Sequence, residues 1–501
     1  MFLPSRSRDE TKPVRSGTMA SLIVFWAGAI FTTLAAPWML GGEPLGAQWW
    51  LLWGAAVTFV SGAVVRLTSP STPGSRAAWR VQAGALLFGL LFVGYIYLQA
   101  RNPSLNVSFV GKLWILSPLQ DTIPGPHSIE APFDSVPGDW LPYKNAWRFL
   151  LIFGTCWLYV AGLVFGLVER ADARRWVLVV GVNAAVLATV CLVHRALGER
   201  LTLWHFSDTV SFTGSPVFLY KNHNGAYLAA SLAVVLGLAW TAEPKRRRFG
   251  WEVVALILWA ATVAVNSRAA TGFATLWGIV YFVLRWQRTA REDRSAIGPR
   301  KWFLVGATAL VLAVVFGLTG GRKAIQRFSP ALSSPLDFVQ GGEYRGLLRQ
   351  VGINMWLDEP AWGWGGGSYL YLFNTYEKQV PQIAAHIYRE QPNLNRFYMV
   401  SADSDWVEFL VEYGVVGFSL FVAAGVLLAV AWWRWCGWAP GLPLFLGLGA
   451  AGIVLHGYLD HILRNPALLI LLVGLLVVAI RLAVPRDSKQ HRLRKTDQPA
   501  D

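Results

Sequence analysis

The feature that most limits how this chain can fold is the recurrence of apolar runs as long as a bilayer is thick. A crossing helix needs about 20 mostly apolar residues, and such runs occur about twelve times. They lie near 19–40, 46–66, 79–99, 146–168, 175–194, 223–242, 250–266, 270–286, 302–319, 405–433, 441–458 and 466–484. Composition agrees: 54% of residues are hydrophobic and only 15% charged, where a soluble domain carries about a quarter. The expected fold is all-α, a polytopic membrane protein with about twelve transmembrane helices and one large outer loop with short helices.

The loops test that count independently. If the N-terminus (Arg6, Arg8, Lys12, Arg15) is cytoplasmic, every second loop should be basic. The series is Arg66/Arg76/Arg80, Arg170/Arg174/Arg175, Lys245 to Arg248, Arg285 to Lys301, Arg434, and the tail from Arg486 to Lys495. One missed span would invert every later loop, so the agreement places both termini in the cytoplasm. The organisation is then 1–18 as a cytoplasmic tail, 19–319 as the first nine spans and 320–404 as the large outer loop. The last three spans fill 405–485, and 486–501 is a basic cytoplasmic tail. A net charge of +15 would suggest nucleic acid in a soluble chain. Here Lys and Arg sit at span ends, where they set orientation, so no nucleic-acid partner is expected. The 26 Trp residues suit interfacial belts. The three cysteines (Cys156, Cys191, Cys436) lie in or beside apolar runs without metal spacing and read as small apolar fillers. The first apolar run is long enough to span and lacks a small-residue cleavage site, so no cleavable signal is expected.

No soluble catalytic signature is present: no GxxxxGK[ST], GxSxG, HExxH or CxxC. Candidates are instead polar groups at the outer rim, where ionisable residues are costly and so functional by default. Arg268, in Asn266-Ser267-Arg268, either snorkels to the headgroups or is a fixed cation for an anion arriving along the surface. Lys221, Asn222 and His223 open the sixth span, a positive helix end that suits phosphate, although Asn is also an ordinary cap. Arg345 and Arg349 share an amphipathic run that ends at Asp358-Glu359-Pro360. The Gly363-Trp364-Gly365-Gly366-Gly367 turn permits close backbone approach, and the Trp364 face suits a sugar ring or the bilayer interface. Asp403 and Asp405 are either caps of the tenth span or carboxylate bases. His456, Asp460 and Arg464 form a further cluster at the outer end of the eleventh.

Taken in order, these segments resemble the O-antigen ligase/polymerase family of bacterial integral-membrane glycosyltransferases. The matching pieces are Lys221 to Leu228, Ser267-Arg268, Arg345 with Asp358-Glu359-Pro360, Gly363 to Gly367, Ala402 to Gly417, and His456/Asp460/Pro466. They cover the chain from about Tyr220 onward. The resemblance implies transfer of a glycan from undecaprenyl diphosphate to a glycan, lipid or protein hydroxyl, at the periplasmic face of the bacterial inner membrane. It implies no metal and no cofactor. Arg268 and Arg345 would neutralise the departing diphosphate, and Asp403 would be the base. The ligases carry a His-Asn-like pair ahead of a GxxG-type pattern, whereas Asp403-Ser404 stands here ahead of Gly414 and Gly417. His386 and His456 are the alternative bases. The competing classes are a transporter, which would gather ionisable groups at mid-membrane on broken helices, and a non-catalytic component of polysaccharide assembly.

Overall fold

The structure, a computed structural model, describes residues 16–69, 73–110, 113–131, 145–199, 201, 203, 215–292, 342–383 and 401–484. The helices before the large outer loop are α1 (Ser16–Trp38), α2 (Leu45–Thr68), α3 (Pro73–Arg101), α4 (Ala146–Gly166), α5 (Arg170–Ala196), α6 (Lys221–Thr241), α7 (Lys245–Val265) and α8 (Arg268–Glu292). Two short outer helices follow, α9 (Gly342–Asp358) and α10 (Ser368–Tyr376). The chain then returns to the bundle as α11 (Asp405–Cys436), α12 (Leu442–Leu459) and α13 (Pro466–Ala483). Eleven of these, all but α9 and α10, are long and apolar enough to cross a membrane. The expected span at 302–319 lies outside the described residues, as does His386.

Local chemistry sets the helix ends. Asn145 caps α4 by accepting from the Arg148 amide at 3.0 Å, and Asn465 caps α13 by accepting from the Leu468 amide at 3.2 Å. Asn266 adopts the left-handed region (φ 65°), which closes α7 and lets α8 begin two residues later. Small residues bring α2 against α4: a Cβ on Gly62 would meet the Gly162 carbonyl oxygen at 2.6 Å. Helix α6 is innermost, with 83% of its apolar window buried, against 28% for α3. The outer helices turn large apolar groups such as Trp53, Val60 and Leu67 outward, the pattern of a lipid-facing surface.

Above the bundle, the 100–145 segment contains a three-stranded sheet in the order β2-β1-β3, where β1 is Pro103–Val110, β2 Leu113–Pro118 and β3 Ser128–Glu130. β1 pairs antiparallel with β2, Phe109 opposite Trp114, and parallel with β3. Val107 and Ile129 pack with Leu348 and Met355 of α9, with Tyr369 and Phe373 of α10, and with Val411 of α11 into a second apolar core.

Helix α11 is broken. Gly414 has φ 59° and ψ −173°, and the turn following α9 enters the gap. Trp364 and Gly365 amides donate to the Val411 and Glu412 carbonyls at 2.8 and 2.9 Å. On the other side, Val415 and Val416 amides donate to the Pro360 and Ala361 carbonyls at 2.9 and 3.2 Å. Tyr95 and Gln99 of α3 brace the joint through the Tyr413 and Glu412 carbonyls at 3.0 and 2.9 Å. The turn thus satisfies the backbone groups that the break releases, as burial requires. No side chain fits at Gly414, because its Cβ would meet the Ala361 carbonyl oxygen at 2.3 Å. Gly414→Ala is expected to destabilise the protein by about 2 kcal/mol through positive φ and overpacking, read as a lowered Tm in detergent. An unchanged Tm would mean that the joint is not rigid.

Candidate active site

Four chain segments meet at the outer end of the bundle. Arg345, in the first turn of α9, lies with Nε 3.2 Å from Asp403 Oδ2 and Nη2 3.6 Å from Asp460 Oδ2. Its Nη1 also donates to the Leu459 carbonyl at 2.5 Å, where α12 ends. Asp403 precedes α11, and its own φ of 51° turns the chain there. From the start of α6, Asn222 Nδ2 donates to Asp460 Oδ2 at 2.5 Å and to the Tyr220 hydroxyl at 2.7 Å, and that hydroxyl donates to Asp460 Oδ2 at 3.2 Å. His461 completes the group. Its Nδ1 is 2.9 Å from Asp460 Oδ1 and 3.8 Å from Asp403 Oδ1, and its ring stacks on Tyr220 with centroids 4.9 Å apart.

The group is charge-balanced, with two carboxylates against a guanidinium and an imidazole. Burial raises the Asp403 pKa, the Asp460 charge adds to this, and Arg345 opposes both. Burial also pushes Asp460 upward, but His461 and Arg345 outweigh it and hold the carboxyl well below the usual range. Burial alone would lower His461; the two aspartates instead raise it to about 9. Asp403, Asp460 and His461 each bring one ligand atom within 4.8 Å of the others, a spacing a metal ion can use. Arg345 pairs with Oδ2 of both carboxylates, so a guanidinium already shares that space.

A second ionic cluster lies directly below. Arg464, after α12, has Nη1 2.5 Å from Glu408 Oε2 and 2.9 Å from Glu412 Oε1, with Nε 3.8 Å from Asp405 Oδ1. All four residues are buried, and the guanidinium lies over the rings of Phe149 and Phe409. Asp405 Oδ2 accepts from the Ile462 and Leu463 amides at 2.5 and 2.6 Å, which ties α11 to the α12–α13 turn. Glu408 Oε1 accepts from the Ala402 amide at 2.7 Å and so fixes the backbone beside Asp403.

The remaining expected residues are placed around this centre. His223 bridges Glu43 Oε1 and the His461 carbonyl, both at 2.7 Å. Lys221 opens α6, half-buried. Arg349, one turn past Arg345, donates to the Tyr458 carbonyl at 3.2 Å and lies over that tyrosine's ring. Arg268 is exposed at the start of α8. Its neighbour Ser267 packs where a Cβ on Gly225 would fall, near the α6 start, and Phe273 lies 6.1 Å from the His456 ring. That sets Arg268 on the flank formed by α6, α8 and α12. His456 is buried within α12. Trp364 turns inward: its indole N–H donates to the Met355 carbonyl at 2.8 Å, and its ring meets His127 edge-on. His461, Tyr220 and Glu43 were not among the expected residues; the Asp460-His461 dipeptide beside a span end is the signal in the sequence that points to the first of them.

Beneath the polar site, α3, α4, α11, α12 and α13 enclose an apolar cavity of about 470 Å³ that begins at Trp406 and Leu463 and includes the exposed Val426 and Leu455. Arg345 and Asp403 do not line it.

The fold is that of a helical polytopic membrane protein, with a cationic and carboxylate cluster at one end of its bundle. Residues 253–422 match the family model described as O-antigen ligase, which bears out the resemblance to the O-antigen ligase/polymerase family and supports a glycosyltransferase-like membrane enzyme. The matched stretch contains Arg268, Arg345, the glycine turn and Asp403, and leaves out Asn222 and the Asp460-His461 pair. No curated protein matches the chain.

Proposed function

We infer that the protein transfers a glycan from undecaprenyl diphosphate to an acceptor hydroxyl at the periplasmic face of the bacterial inner membrane, as a metal-independent glycosyltransferase of the GT-C type. The single observation that carries this reading is the meeting of Arg345 and Asp403 at 3.2 Å, from segments far apart in the chain, at the outer end of the bundle. In the reaction the acceptor oxygen attacks the anomeric carbon, and the bond to the diphosphate oxygen breaks with its electron pair leaving on phosphate. Asp403 takes the hydroxyl proton. Arg345, with Arg268 on the flank, neutralises the charge that accumulates on the leaving group, where a preorganised cation is most effective. Lys221, Asn222, His223 and Arg349 shape the binding surface around this centre, while Trp364 and His456, both turned into the fold, support it from behind. The apolar cavity below suits the lipid part of the donor. Both termini are cytoplasmic in this reading, as the alternation of basic loops requires.

The test is release of undecaprenyl diphosphate from a lipid-diphosphate-linked glycan by the purified chain in nanodiscs, with and without EDTA. Transfer that survives EDTA is expected; its loss on chelation would sink the metal-independent mechanism. Asp403→Asn should lower kcat by about 10²–10⁴-fold, the worth of a positioned base. Because burial raises Asp403, the acid limb of the wild-type pH profile should lie above the ordinary carboxylate range, activity falling as pH drops through it and the base becomes protonated. An acid limb unchanged in Asp403→Asn would assign the base elsewhere.

The transporter reading gains from one observation, the buried Asp405, Glu408 and Glu412 on a broken helix. Ion flux into liposomes without any release of undecaprenyl diphosphate would favour it.

A further inference from the structure

We propose that His461 is a catalytic residue, a second cation that donates its Nε2–H to the departing diphosphate beside Arg345. This deepens the glycosyl-transfer reading and rests on it.

The geometry fixes the imidazole as a donor that faces outward. Nδ1 lies at ion-pair distance, 2.9 Å, from the buried Asp460 carboxylate but off the line of a hydrogen bond, and the other carboxylate oxygen is taken up by Tyr220, Asn222 and Arg345. The ring plane is set by stacking on Tyr220 at 15° and by the edge of His223 at 5.2 Å. The backbone is pinned at both ends of the residue: the His461 amide donates to Asp460 Oδ1 at 2.8 Å, and its carbonyl accepts from His223 at 2.7 Å. Nε2 has no hydrogen-bond partner among the described residues, and the side chain is 24% exposed. A buried carboxylate paired with Nδ1 stabilises the charged form of an imidazole, as the aspartate of a catalytic triad does, while stacking and the two backbone contacts set the ring. Here the second carboxylate, Asp403 at 3.8 Å, adds to that stabilisation, so the ring serves as a cation rather than as a base.

The charged groups around the ring bear this out. Asp460 and Asp403 favour the imidazolium most, and Glu408 adds to them. Asp405 and Glu43 also feel its charge. Burial opposes the cation; Arg345 across the two aspartates, His456, and the rings of His223 and Tyr220 are the other titratable groups near it among the described residues. The balance raises the ring to about 9, so the cation is present at neutral pH and lost as pH rises through that value.

The step balances simply. The bond from the acceptor oxygen to the anomeric carbon forms, the bond from that carbon to the diphosphate oxygen breaks, and the acceptor proton goes to Asp403. His461 keeps both of its protons. It contributes charge and one hydrogen bond to an oxygen that becomes more negative as the bond breaks.

The experiment uses full-length protein in nanodiscs. It measures single-turnover release of undecaprenyl diphosphate and, separately, binding of undecaprenyl diphosphate between pH 7 and 10, for wild type, His461→Gln and His461→Arg. Loss of one such donor lowers kcat by about 10²–10³-fold, so His461→Gln should fall by that factor with KM little changed. His461→Arg should recover to within about tenfold of wild type, since the charge is restored. Binding and turnover of the wild type should weaken through an alkaline limb near pH 9, and His461→Arg should lack that limb. Turnover of His461→Gln within about threefold of wild type overturns the proposal. So does an alkaline limb near 9 that persists in His461→Arg, or a His461→Arg variant as impaired as the Gln variant, which would mark a purely structural role. A wild-type chain that binds undecaprenyl diphosphate but never releases it from a glycan-linked donor overturns the transfer reading, and the pH dependence of binding then still decides for or against the His461 cation.

Discussion

Arg345→Ala should lower the rate of undecaprenyl diphosphate release by about 10³-fold, the low end of what an arginine aimed at a departing phosphate supplies. The side chain reaches both aspartates of the outer centre, and it does so from a short helix outside the membrane bundle. Its planar fork holds Asp403, Asp460 and the Leu459 carbonyl together, leaving little slack in its position. Arg345→Lys keeps the charge and gives up the fork, so it should restore only part of the loss. The Arg345 side chain is 22% exposed against 7% for Arg464, so water can replace part of the guanidinium and Arg345→Ala should lower the Tm less than Arg464→Met does. Activity of Arg345→Ala within about tenfold of wild type would remove the residue from the reaction.

Arg464→Met should act on stability instead. Three carboxylates, those of Asp405, Glu408 and Glu412, surround this guanidinium with no exposure to solvent. Methionine fills much of the volume but leaves those carboxylates uncompensated, and breaking a buried pair in this way costs about 3–5 kcal/mol. Thermal unfolding in detergent should show a Tm loss larger than that of Gly414→Ala. Adding Glu412→Gln and Glu408→Gln should recover part of it, because the penalty lies in the unpaired charges rather than in a lost contact. A Tm equal to wild type would show that the carboxylates already hold their own protons and do not need the arginine.

The two expectations also show what sequence can and cannot carry. Membrane spans were legible because apolar length is a local property, and the alternation of Lys and Arg between them is a check that any miscount would fail. The Arg345 and Asp403 pair was legible for a related reason, since charge beside an apolar span stands out against its surroundings. His461 was not, although it directly follows Asp460: its meaning comes from Tyr220 and His223, some 240 positions earlier in the chain. Glu43 is hidden in the same way, joined to His223 and Asn465 only through space. The glycine-rich turn and the Gly414/Gly417 pattern read as separate motifs in the sequence, the first as a ligand-approach loop. In the fold they are two sides of one joint: a Cβ on Gly363 would meet the Gly414 amide nitrogen at 2.4 Å. Trp364 accordingly spends its indole N–H on the Met355 carbonyl.

That joint has a consequence for protein engineering. The outer lobe that carries Arg345 is stitched to the bundle by main-chain bonds on both sides of an interrupted helix, so the lobe and the interruption behave as mating parts. Grafting 342–383 from a relative onto this scaffold should give a folded hybrid only when the donor loop brings a matching Pro360–Gly365 insert and the recipient keeps a glycine at 414.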